Sequence, residues 1–222
     1  MIEKVLSTLE EQVQPEHTAL IVVDPQNDFC ATDGAVIRLM GWDASRIQKA
    51  VEPLNRFIEK ARKKGLLIVW TQSFVDPTRA KPSFVARTFI TNAKAKGIVL
   101  VKEGLNGADW YSGVTKPTPG EYVITKYHYD GFEDTDLDLL LRSRGIKTIL
   151  LTGFIANVCV ETTGRHGYIK GYYPVLVTDC TEAATQEEYD ATVYNIKTYF
   201  GKVATSEHIT KIWGAGDRSR NE

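Results

Sequence analysis

Five apolar runs punctuate this chain, and each is rich in β-branched residues. They are "TALIVVD" (18–24), "GLLIVWTQ" (65–72), "EYVITK" (121–126), "KTILLTG" (147–153) and "PVLVTD" (174–179), with a shorter sixth in "FGKVATS" (200–206). Runs of this length and composition predict strands buried on both faces. Helical spacing fills the gaps. From Ala44 to Lys64, the apolar residues Ile47, Val51, Leu54, Phe57, Ile58 and Ala61 form one stripe, which Gly65 terminates. "TDLDLLLRSRG" (135–145) predicts a helix capped by Thr135 and closed by Gly145. Three more helices are predicted over 158–171, 186–200 and 206–213.

Strands alternating with helices predict a three-layer α/β/α sandwich around a mostly parallel six-stranded sheet. One domain accounts for all 222 residues. Two stretches, 25–43 and 73–120, break the minimal alternation. Long connections of this kind are often functional, and open parallel sheets place their sites at the carboxyl ends of the strands.

Composition narrows the function. Charged residues make up 25% of the chain and the formal net charge is -1, so no basic surface points to nucleic acid or a membrane. No apolar run reaches membrane-span length. Three cysteines, Cys30, Cys159 and Cys180, have no paired spacing, which fits a reducing cytoplasm better than a disulfide framework.

Three residues carry candidate chemistry. Asp24 closes the first apolar run and Lys126 the third, while Cys159 lies just past the fourth, where a helix should begin. A thiol in a first helical turn sits at the positive dipole end, which lowers its pKa. Each residue alone also fits an ordinary role: a packed thiol, a loop-capping carboxylate, a solvated lysine. Asp179 ends its strand as Asp24 does, and is open to the same two readings. Together, residues 24, 126 and 159 are coherent. A carboxylate can take the thiol proton, a lysine can hold the pair in register, and the thiolate can attack a carbonyl.

"ALIVVDPQNDF" (19–29), "KYHYDGFEDTDLDLLLRSRGIKTILLTG" (126–153) and "GFIANVCVETT" (153–163) resemble the three signature blocks of the isochorismatase-like cysteine hydrolases. The likeness runs over about residues 16–206, and within the family it is strongest to ureidoacrylate and related N-carbamoyl amidohydrolases. It implies catalytic roles for Asp24 as general base, Lys126 as its partner and Cys159 as nucleophile. It also implies a cis peptide between Phe154 and Ile155, with the N–H groups of Ile155 and Cys159 forming an oxyanion hole. The implied reaction is hydrolysis of a small ureido or carbamoyl compound, such as ureidoacrylate, a carbamoyl amino acid or biuret, through a thioester with release of ammonia. A simple carboxamide substrate, nicotinamide- or maleamate-like, and a non-catalytic binding module are the alternatives.

The nicotinamidase branch holds a metal through histidines after the second strand, but "TQSFVDPTRAKPSF" (71–84) has none. No metal and no cofactor are therefore expected. Phe29 and Tyr129 are the expected substrate-binding aromatics, with Trp70 and Phe132 as further candidates for the wall and His128 near the second block. Arg79, Lys81 and Arg87 are the candidate partners for a substrate carboxylate. Family members are commonly oligomers, so a homodimer or homotetramer is expected.

Overall fold

The computed structural model describes residues 4–218. Six strands form one parallel sheet: β1 (Thr18–Val23), β2 (Leu67–Ser73), β3 (Tyr122–Lys126), β4 (Thr148–Phe154), β5 (Tyr173–Glu182) and β6 (Lys202–Ala204). Their order is β3-β2-β1-β4-β5-β6. Successive residues of β1 feed opposite cores, because side chains alternate across a strand. Leu20 and Val22 join the cluster containing Leu54, Phe57 and Ile58, whereas Ala19, Ile21 and Val23 join the one containing Leu137, Leu141 and Val160. Helices on both faces bury the sheet. α1 (Val51–Lys63) covers the first face, and α2 (Leu137–Ser143) and α3 (Glu161–Ile169) cover the second. Two further helices, α4 (Gln186–Asn195) and α5 (Ser206–Arg218), complete the outer layers.

The chain reverses its direction of winding between β1 and β4, which leaves a crevice above the carboxyl ends of the strands. Register aligns those ends. Val23 pairs with both Thr71 and Gly153, and Lys126 pairs with Ser73. Residues separated by more than a hundred positions thus emerge side by side.

Four local expectations need correction. β3 is not buried on both faces: Val123 is exposed and the strand alternates, because β3 is an edge strand with helix cover on one side. The helix expected over 44–64 is broken into Ala44–Gln48 and α1. The cap of α2 is Asp136. Thr135 lies one residue earlier and accepts from the Leu137 N–H at 3.3 Å while its hydroxyl donates to the Gly131 carbonyl. The helices expected over 158–171 and 186–200 each contain a wide i→i+5 turn, Ala156–Val160 before α3 and Ile196–Phe200 after α4.

Gly153 marks a tight contact between β1 and β4. Its φ is 95°, and a Cβ there would lie 2.2 Å from the Val23 carbonyl oxygen. Asp24 follows Val23 directly, so β1 cannot yield there without moving it. Gly153→Ala is expected to destabilise the fold by on the order of 3 kcal/mol, read from urea unfolding. A variant with an unshifted midpoint would show that the β1–β4 approach is not rigid.

Candidate active site

Asp24 follows β1 with φ 47°, a left-handed conformation that aspartate tolerates better than most residues. Its carboxylate meets the ammonium of Lys126, the last residue of β3, at 2.6 Å, and both side chains are 0% exposed. Lys126 Nζ also donates to the carbonyls of His128 and Tyr129, at 2.9 and 3.2 Å. The other Asp24 oxygen accepts from Thr71 Oγ1 at 2.5 Å. Cys159 is within hydrogen-bonding reach of both Asp24 and Lys126. The structure therefore brings the carboxylate, the ammonium and the thiol to one point above the sheet.

Cys159 sits in the wide turn Ala156–Val160, which begins directly after the cis Phe154–Ile155 peptide. Thr163 fixes this turn. Its hydroxyl donates to the Cys159 carbonyl at 2.7 Å and accepts from the Gly131 N–H at 2.9 Å, joining the cysteine turn to the loop after Lys126.

The expected lowering of the thiol pKa is not what this environment produces. Burial pushes the Cys159 thiol up to about 12; Lys126 opposes that shift and Asp24 adds to it. The dipole of one short turn is outweighed by desolvation of the charged form. For Lys126, burial works against the charge, but the Asp24 carboxylate outweighs it and holds the ammonium above its ordinary value. At neutral pH the resting thiol is protonated beside a base.

The thiol opens onto a cavity of about 210 Å³. Its walls come from both long connections: Phe29, Val36 and Trp42 from the first, and Val75, Phe84 and Arg87 from the second. Two buried polar side chains of the first block join these walls. Gln26 donates to the carbonyls of Ser73 and Ala108 at 3.0 and 2.9 Å and accepts from the Ser73 N–H at 2.8 Å. Asp28 accepts from the N–H groups of Ala35 and Val101 at 2.8 and 2.6 Å.

Phe29, Tyr129 and Ile155 line the cavity. Trp70 and Phe132 do not. Trp70 is core, with its indole N–H donating to Glu121 at 2.7 Å, and Phe132 stacks on Tyr172. His128 turns its ring to Asp134, 3.4 Å away, and serves Lys126 through its carbonyl. Asp179 is a helix-capping residue, accepting from the N–H and hydroxyl of Ser206 at 2.7 and 2.6 Å. Among the described residues, Asp130, Glu133 and His166 form one group at metal-ligand spacing, and none of the three lines the cavity. Thr71, Thr163, Gln26 and Asp28 were missed by sequence reasoning, although three of them lie inside the matched blocks.

The isochorismatase domain model matches residues 18–208, so the chain belongs to the isochorismatase family. It is 37% identical over 204 residues to the ureidoacrylate amidohydrolase RutB of Enterobacter sp. (strain 638), covering 86% of each chain. Among solved structures, it resembles a cysteine hydrolase from Pseudomonas syringae pv. phaseolicola 1448A. That match has a TM-score of 0.77 and 25% identity, and covers 97% of this chain and 100% of that one. It also resembles the N-carbamoylsarcosine amidase of Thermoplasma acidophilum, with a TM-score of 0.68 and 26% identity over 85% and 96% of the two chains. Among the described residues, no helix is long and apolar enough to cross a membrane.

The raised thiol pKa has a measurable consequence. Iodoacetamide should label Cys159 slowly at pH 7.5 in the folded protein, with a rate that climbs about tenfold per pH unit below its pKa. Asp24→Asn removes a charge that disfavours the thiolate, so labelling at pH 8 should rise by about tenfold or more. Mass spectrometry of the residue-159 peptide reads both. Folded protein labelled as fast as unfolded chain at pH 7.5 would contradict this electrostatic account.

Proposed function

We propose that this protein is a cysteine amidohydrolase that cleaves the terminal C–N bond of a small ureido or carbamoyl compound. The observation that carries this reading is the meeting of the buried Asp24–Lys126 pair with Cys159, which lines the cavity. The activities named for its relatives, on ureidoacrylate and on N-carbamoylsarcosine, support the substrate class.

In this reading, Asp24 takes the Cys159 proton as sulfur adds to the ureido carbonyl, so no standing thiolate is required. Lys126, paired with Asp24, offsets the negative charge that develops. The N–H groups of Ile155 and Cys159 receive the oxyanion. Two such donors supply charge stabilisation only when the tetrahedral species forms, and losing one typically costs about 100-fold or more in rate. As the intermediate collapses, Asp24 returns its proton to the departing amino group and ammonia leaves. Water then attacks the thioester, giving its proton to Asp24, and the thiol is regenerated. The product is a carbamic acid, which loses carbon dioxide to leave an amine. Thr71 is assigned the role of orienting Asp24, and Thr163 that of holding the cysteine turn.

Cys159→Ala should lower ammonia release from ureido substrates by about 10⁴-fold or more, with the circular dichroism spectrum and melting temperature retained. Equal yields of ammonia and carbon dioxide identify ureido cleavage, whereas ammonia with a new carboxylate identifies a carboxamide. A variant retaining even a tenth of the activity would remove the nucleophile from this scheme.

A further inference from the structure

Among the described residues, Arg87 is the one cation lining the cavity that holds Cys159. Its Nε donates to the Phe84 carbonyl at 2.9 Å, but Nη1 and Nη2 are both buried without a hydrogen-bond partner. Aromatic faces hold the group in place: the guanidinium carbon lies 3.5 Å from the Phe84 ring centroid, 4.0 Å from Tyr129 and 4.6 Å from Phe89. Such contacts satisfy the faces of the cation and leave its donor edge free. Burial pulls its pKa down to about 10, with Cys159 acting the other way. An unpaired guanidinium out of water is costly unless something pairs with it.

Among the described residues, no acid fills that place. Glu188 also lines the cavity, but its carboxylate caps the α4 N-terminus, accepting from the Thr185 N–H and hydroxyl at 3.1 and 3.0 Å. The neighbouring cations of the same connection are engaged elsewhere, Arg79 with the Tyr127 hydroxyl and Lys81 with Glu133 and Asp134. A second unsatisfied atom faces the same space: Asn157 Oδ1, an acceptor two residues before Cys159, is buried without a partner.

We infer that Arg87 is the receptor for a substrate carboxylate, so that the site selects small ureido carboxylic acids over neutral ureas. The paired Nη donors match the two oxygens of a carboxylate, and Asn157 Oδ1 matches a ureido N–H. A neutral urea leaves Arg87 buried and unpaired, which is how a polar site rejects a ligand that lacks the matching group. The inference rests on the amidohydrolase reading for its catalytic consequence, but not for binding.

The test uses the full chain and two readouts. Ammonia release is measured on N-carbamoylglycine, 3-ureidopropionate, 4-ureidobutyrate and the neutral N-propylurea. The wild-type protein should prefer at least one acid over propylurea. In Arg87→Met, the acid-to-propylurea ratio of kcat/KM should fall by about 100-fold, mainly through KM, and Arg87→Lys should recover part of it. A ratio unmoved by Arg87→Met, or a wild-type preference for propylurea, would overturn the proposal. The second readout is calorimetric binding of the same acids to Cys159→Ala protein, with and without Arg87→Met. Binding lost with Arg87 sustains the anchor even if no substrate is turned over, in which case the amidohydrolase reading alone fails. Binding indifferent to Arg87, or no binding of any of the three acids at millimolar concentration, removes the anchor.

Discussion

A carboxylate and an ammonium fully withdrawn from water form the constraint around which this site is organised. Desolvating two charges costs several kcal/mol each, and their mutual attraction repays this only with good geometry and further hydrogen bonds. The protein supplies a close approach and further hydrogen bonds. Asp24 and Lys126 lie 2.6 Å apart, two backbone carbonyls receive the remaining ammonium protons, and Thr71 donates to the other carboxylate oxygen. Each partner comes from a different strand end or loop. The pair therefore survives only while β1, β2 and β3 stop at the same level, and the parallel register fixes that level. The close β1–β4 approach at Gly153 extends the alignment to the strand that leads to Cys159.

Roles are divided between sheet and connections. Strand ends carry the groups assigned to bond making, where the backbone is most rigid. The connections 25–43 and 73–120 carry the aromatic walls and Arg87, the groups assigned to ligand choice. This arrangement lets one chemistry serve different substrates, because the walls can change without disturbing the buried pair.

The sheet was legible in the sequence because buried parallel strands leave apolar runs that few other structures leave. Asp24 and Lys126 were legible for the same reason, each being the first charged residue after such a run. The rest has no comparable signature. Thr71 looks like any threonine in a strand, and its bond to Asp24 crosses 47 positions. Arg87 was indistinguishable from Arg79 and Lys81 until their partners were seen. The thiol was misjudged because sequence position shows the helix end but not the burial that outweighs it. The splitting of the 44–64 helix was hidden because its apolar stripe continues across the break.

Gln26 and Asp28 have one more consequence. They clamp the backbone of both connections through four N–H or carbonyl groups in the second stretch, at Ser73, Val101 and Ala108. The two halves of the chamber are thus tied into a single lining, and neither can swing outward by itself. Met40 from the first connection and Phe89 from the second line the chamber that this tie holds together.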